Sequence, residues 1–218
     1  MIDEPKETKK DKRDAARQAR IEQQRKRQRA KRRKKVAFSS IAVVLALLIV
    51  AFTVVKVGDS RRKSVAAVSA AATAAGCDGI KEYPDAGRQH IDNVAPDKRV
   101  PYTSNPPTSG DHYGVLPPDP NFYTEPTLRP ERYVHSLEHG QIFIHYNNLP
   151  QDQVDELEKI QSEHSGSTSV MRNPDIKVPL AITAWRYMEQ CQKVSKTVVE
   201  NFIEQRCNKG PENFNLKC

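Results

Sequence analysis

The chain has 218 residues, 28% of them charged, and a formal net charge of +8. That charge is unevenly placed, with +10 in residues 1–35, +3 in 56–63 and −5 in 64–218. The part able to fold as a globule is therefore mildly acidic, which argues against nucleic acid as its partner.

Residues 1–35 form a basic tail rich in Lys, Arg, Gln and Ala, residue types that favour helix. The run Arg25 to Lys35 stands directly before Val36 to Val55, twenty residues without a charge. Twenty residues at helical rise match the hydrocarbon core of a bilayer, so 36–55 is expected to be a transmembrane helix. A buried core helix is the other reading of the same run. The excess of Lys and Arg before the span places the tail in the cytoplasm and 56–218 outside. The location expected is the cell membrane, crossed once by an uncleaved signal anchor. The lipid bilayer is then a partner, with anionic lipid headgroups along the tail. Contact with nucleic acid is a second reading of the tail alone.

Residues 56–76 read as a linker, a basic hinge followed by an alanine-rich stretch with no apolar stripe to bury. The folded domain is expected over 77–218. All four cysteines, Cys77, Cys191, Cys207 and Cys218, lie in it. An even count confined to one side of a membrane reads as two disulfides in an oxidising compartment. Three pairings are open. Cys191–Cys207 with Cys77–Cys218 is preferred, because it staples a terminal helix and ties the domain's ends together.

From Cys77 to Pro130 the prolines break helices and central strands, leaving a long ordered loop with one short strand at Arg99 to Thr103. Then comes VHSLEHGQIFIHY, Val134 to Tyr146. It predicts a helical turn confined to about Glu131–His139, a stop at Gly140 and a buried strand. Pro150 to His164 predicts an amphipathic helix, Thr168 to Met171 and Leu180 to Trp185 predict strands, and Val194 to Arg206 a second helix, with Ser195 as a candidate cap. The fold class is α+β: a small mixed or antiparallel sheet with two helices and long proline-rich loops, preceded by one transmembrane helix.

His135 and His139 stand four apart, a spacing that shares one helix face. His112 comes from SNPPTSGDHY upstream. These three are the candidate ligands of one metal ion, and imidazole suits copper or zinc. Asp111 or Glu138 can add a carboxylate, and Met171 or Met188 a thioether. The alternative is a hydrogen-bonding network in which the histidines hold the proline-rich loop down. His145, inside the strand, reads as packing beside the sheet, and His164 as solvent-facing. His90 carries no motif.

His135 to His139 also fits H-x-x-E-H, in which two His bind zinc and Glu138 would be the general base of a protease. Pro130 and Gly140 confine the helix too tightly for that role, and the further carboxylate Glu212 sits in a polar tail. No nucleophile elbow, phosphate loop or dinucleotide fingerprint is present.

PPTSGDH (Pro106 to His112), HSLEHG (His135 to Gly140) and AITAW (Ala181 to Trp185) together resemble a bacterial family, domain of unknown function 3105. The resemblance covers roughly residues 78–190. It implies a membrane-anchored extracytoplasmic protein and supplies no activity, so function rests on the site. The expected role is binding of copper or zinc through the histidine cluster. The alternatives are a non-enzymatic scaffold docking on another envelope protein and a metal-dependent hydrolase.

Overall fold

In the computed structural model the described residues are 17–18, 20–29, 31–32, 52–53, 55–57, 62–91, 100–115, 118–124, 128–212 and 214–218. The chain divides into two compact units, Met1–Arg62 and Lys63–Cys218. In the first, the described tail residues between 17 and 32 are helical and exposed. Lys26 and Glu22, one turn apart, pair at 2.9 Å.

No helix among the described residues is long and apolar enough to cross a membrane. This corrects the transmembrane part of the expected fold class, and with it the single-pass cell-membrane location. The expectation rested on the hydropathy of one run. Only residues 52, 53 and 55 of 36–55 are described, and the remainder of that run lies outside the described residues.

The second unit is built on a six-stranded mixed sheet. Its strands are β1 (Lys81–Glu82), β4 (Phe122–Tyr123), β5 (Ile142–Tyr146), β6 (Thr168–Arg172), β7 (Leu180–Ala184) and β8 (Tyr187–Cys191), in the order β1-β8-β7-β5-β6-β4. β5 runs parallel to β6 and antiparallel to β7. A separate pair, β2 (His90–Ile91) and β3 (His112–Tyr113), is parallel. The helices described in this unit are α1 (63–75), α2 (Pro130–Glu138), α3 (Gln151–Glu163) and α4 (Lys196–Arg206).

Side-chain alternation along the strands sorts the core into two layers. Ile142, Ile144, Leu180 and Ile182 point to the face covered by α3 and α4, where Leu157, Ile160, Val199, Phe202 and Ile203 complete an apolar cluster. Ala71 and Ala72 of α1 pack against the same cluster. The alanine-rich stretch thus joins the compact unit, because small side chains let a helix approach without needing a broad apolar stripe. Phe143 points to the other face, where it meets Met171, Trp185 and the α2 residues Tyr133, Val134 and Leu137.

Several sequence expectations shift. The helix expected over about Glu131–His139 lies one residue earlier, at Pro130–Glu138, started by Pro130 and followed by buried Glu131. It lasts because residues from both its faces are buried. Ser195 occupies the cap position of α4, but its hydroxyl makes no capping bond. Residues 100–103 are not a strand. β8 was not read from the sequence, since YMEQC lacks a clear alternation of apolar and polar residues. Two disulfides close, but as Cys77–Cys191 and Cys207–Cys218. This corrects the preferred pairing. β1 pairs with β8 antiparallel, which brings the start of the domain beside Cys191.

His145 is fully buried on the α2 face of β5. Its Nε2 lies 3.2 Å from Thr183 Oγ1, which donates in turn to the Phe143 carbonyl, and Asn173 Nδ2 points at its Nδ1 from 3.4 Å. A donor facing Nδ1 and an acceptor facing Nε2 define the neutral ring. Burial pushes its pKa from the ordinary 6.5 down to about 3. The unfolded chain then binds the proton first as pH falls. Stability is full above pH 6.5 and declines between about 6.5 and 3, by roughly 1.4 kcal/mol per pH unit. Chemical denaturation across that range is expected to show the slope, and His145→Gln is expected to flatten it.

Candidate metal centre

Helix α2 carries the middle of the site. Glu131, His135 and Glu138 recur at helical spacing on the face opposite Tyr133, Val134 and Leu137. At its end the backbone of Gly140 takes φ +86°, a left-handed conformation that lets the chain reverse directly into β5. The amide of Gly140 returns to the Leu137 carbonyl at 3.0 Å, and that of Gln141 to the Ser136 carbonyl at 3.0 Å.

The proline-rich loop supplies His112. Its path is fixed by buried or half-buried bonds. The Tyr102 hydroxyl donates to the Asp111 carbonyl at 2.8 Å, Ala86 N donates to Ser109 Oγ at 3.0 Å, and Arg186 N donates to the Thr108 carbonyl at 2.9 Å. β3 then pairs with β2 so that His112 and His90 are register neighbours. Trp185, the last residue of AITAW, stands edge-on to the His112 ring at 6.3 Å. The three sequence motifs converge here.

His90, His112, His135 and Glu138 each offer a ligand atom within 4.8 Å of the others, and all but His90 are buried. Glu138 Oε2 lies 2.9 Å from His112 Nε2 and 3.5 Å from His90 Nε2. The ring centroids of His90, His112 and His135 form a triangle of 5.0 Å sides. The other nitrogens of the two buried rings are held by backbone: His112 Nδ1 by the Gly110 carbonyl at 2.8 Å, and His135 Nδ1 by the Tyr113 carbonyl at 2.7 Å. A carbonyl only accepts, so each Nδ1 carries the proton. In the neutral ring the lone pair then sits on Nε2, the atom each imidazole turns toward the group. The group can hold a metal ion.

His139 stands at the rim. It caps α2, and its Nε2 lies 3.1 Å from His135 Nε2 and 3.2 Å from Glu212 Oε2. Phe214 stacks on its ring at 3.9 Å. Burial lowers the pKa of both His135 and His139, and the neighbouring His139 and His112 rings lower that of His135 further. Both effects favour the neutral imidazole that a metal requires. Asp111 lies outside the converging group and accepts from Gln89 N at 3.1 Å. Met171 is buried in the apolar cluster of Tyr133, Leu137 and Phe143. Glu138, the base of the protease pattern, points among the converging imidazoles.

Sequence reasoning gave His90 no role, because a histidine in a polar loop carries no spacing signal; only the β2–β3 register reveals it. Glu212 stands in the carboxy-terminal tail that Cys207–Cys218 closes into a loop, and the sequence gives no sign that this loop lies against the end of α2.

A family model described as a protein of unknown function, DUF3105, matches residues 93–217. The chain belongs to that family. No curated protein and no solved structure matches it. The DUF3105 match runs beyond the motif-bearing region into the tail, taking in Glu212 and Phe214 while starting after His90.

That tail is fastened to the end of α2. Glu212 N donates to the Glu138 carbonyl at 3.1 Å, and Asn208 N to the Gly140 carbonyl at 3.0 Å. A Cβ placed on Gly210 would stand 2.1 Å from the Glu138 carbonyl oxygen. Gly210→Ala is therefore expected to lift the tail from α2 and lower stability by about 2 kcal/mol, as overpacking against backbone does. Thermal unfolding of the folded variant would measure the loss.

Proposed function

We propose that this protein binds one transition-metal ion, copper or zinc in the divalent state, through His90, His112, His135 and Glu138. One observation carries the reading. Two imidazoles whose Nδ1–H groups are committed to backbone carbonyls aim their Nε2 atoms into a space shared with a carboxylate. The 2.9 Å contact between His112 Nε2 and Glu138 Oε2 is one that a proton can bridge, and a metal ion bound by the group would take that proton's place. Histidine ligands with the second nitrogen tied to a carbonyl are also how proteins orient imidazoles for a metal.

The donor set narrows the metal. Imidazole and carboxylate suit Zn2+ and Cu2+, while Cu+ prefers thiolate and thioether. All four cysteines are in disulfides, and Met171 belongs to the apolar core. The site therefore favours a divalent ion, with Cu2+ expected to bind more tightly than Zn2+ in direct competition.

Full-length protein loaded with excess Zn2+ or Cu2+ and then dialysed is expected to retain close to one equivalent by elemental analysis. Glu138→Gln is expected to weaken binding at least as much as losing an outer partner, roughly 10–100-fold. The double variant His112→Ala/His135→Ala is expected to retain none. Equal metal in wild type and a folded double variant would refute the assignment.

A further inference from the structure

Away from the histidines, a second group of reactive side chains lies at the edge of the sheet. A carboxylate oxygen of Glu189 and the sulfurs of Cys77 and Cys191 all lie within 4.8 Å of one another. Both sulfurs are joined in a disulfide, so the three cannot serve as metal ligands. Glu189 is 3% exposed, and its Oε2 is buried without a hydrogen-bond partner. Its register neighbour on β7 is Ile182, within the apolar cluster of α3 and α4. A carboxyl in such a place costs stability, and a hydrophobic residue would fill it better.

The two sulfurs differ. Cys191 is buried at 1% exposure, whereas Cys77 is half-buried, on the turn that follows α1. An incoming nucleophile therefore meets Cys77 first, and Cys191 is the sulfur that must leave into the interior. A thiolate released in apolar surroundings is a poor leaving group unless it is given a proton. Glu189 is the acid placed to give one.

The backbone around the bond holds itself together. Gln192 N and Lys193 N both donate to the Ala75 carbonyl at 3.0 and 3.1 Å. Asp78 N donates to the Gln190 carbonyl at 3.0 Å, and Gln190 N donates to Asp78 Oδ1 at 2.8 Å. Opening the disulfide would leave these four bonds in place.

We propose that Cys77–Cys191 is a thiol–disulfide exchange site that accepts electrons from a dithiol, with Glu189 as the proton donor to the Cys191 sulfur. One thiolate of the dithiol attacks Cys77. The S–S bond breaks, its electron pair goes to Cys191, and Glu189 protonates that sulfur. The second thiolate of the dithiol then displaces Cys77 from the mixed disulfide. Cys77 takes a proton from solvent, as does Glu189. The protein disulfide is reduced to two thiols and the dithiol is oxidised to its disulfide.

Burial, with the Asp78 carboxylate nearby, raises the Glu189 pKa from 4.5 to about 7, so the acid form is populated at neutral pH. Asp78 is itself paired with Lys81, and Arg206, from α4, lies over the ring of Tyr187, the first residue of β8.

The test uses full-length protein and dithiothreitol, with alkylation and peptide mass spectrometry to follow each disulfide separately and circular dichroism to follow the fold. Cys77–Cys191 is expected to open in the native state. Glu189→Gln is expected to slow it roughly 10-fold or more at about pH 6, with the difference closing towards pH 9 and partial recovery in Glu189→Asp. In the wild type alone, the rate constant corrected for thiolate fraction should be flat below about pH 7 and fall above it. Equal rates and pH profiles in wild type and Glu189→Gln would overturn the proposal. So would a corrected wild-type rate that ignores pH, or reduction that occurs only as the native spectrum is lost.

Discussion

The architecture depends on the reversal at Gly140. Helix α2 must stop at Glu138 and the chain must enter β5 at Ile142, with three residues between, and the left-handed backbone of Gly140 makes that reversal. β5 lies inside the sheet, between β6 and β7. Its direction is set by the turn, and its alternation then commits Ile142 and Ile144 to one layer and Phe143 and His145 to the other. The same turn holds α2 against the second layer with His135 and Glu138 facing away from the apolar cluster. Asn208 packs so closely on Gly140 that a Cβ there would stand 2.9 Å from the Asn208 Cα. One conformational constraint therefore fixes the sheet, the helix and the seat of the tail.

The site is polar inside a buried shell, and that combination governs its chemistry. Imidazoles buried with their outer nitrogens on carbonyls cannot rotate, and they cannot change tautomer without breaking a short bond. Such preorganisation lowers the cost of ordering ligands when an ion arrives. His139 and Glu212 extend the network towards solvent, with Phe214 stacked over the imidazole although 56% of its surface is exposed. An exposed aromatic held there covers a polar neighbour rather than filling a core.

Local patterns in the sequence made the helix-stop-strand unit, α3, β6, β7 and α4 legible, because each has its own periodicity and its own Pro or Gly signal. HSLEHG and SGDH pointed to the right region, since those histidines lie beside structural punctuation. What stayed hidden is non-local. β1 and β2 are two residues each and gain meaning only from the strands they pair with. The disulfide pairing depends on β1 lying antiparallel to β8, which no sequence spacing records. Helix α1 looked like a spacer because alanine carries no apolar stripe, yet smallness is what lets it lie close. Glu189 drew no notice, since a single Glu in YMEQC reads as the exposed side of a strand.

Cys77–Cys191 ties the start of the folded unit to β8, Cys207–Cys218 closes its carboxy-terminal end, and the histidine cluster begins at His90. The span shared with the family, 93–217, begins after Cys77 and His90 and ends one residue before Cys218. A recombinant fragment trimmed to that span would leave Cys191 and Cys207 each without its covalent partner, and would remove β1, β2 and one imidazole. Two unpaired thiols in one polypeptide invite the bond between Cys191 and Cys207 that the intact chain does not make. Fragment boundaries for this protein therefore have to be drawn from its three-dimensional closure, from before α1 through the terminal cysteine, and not from the limits of sequence similarity.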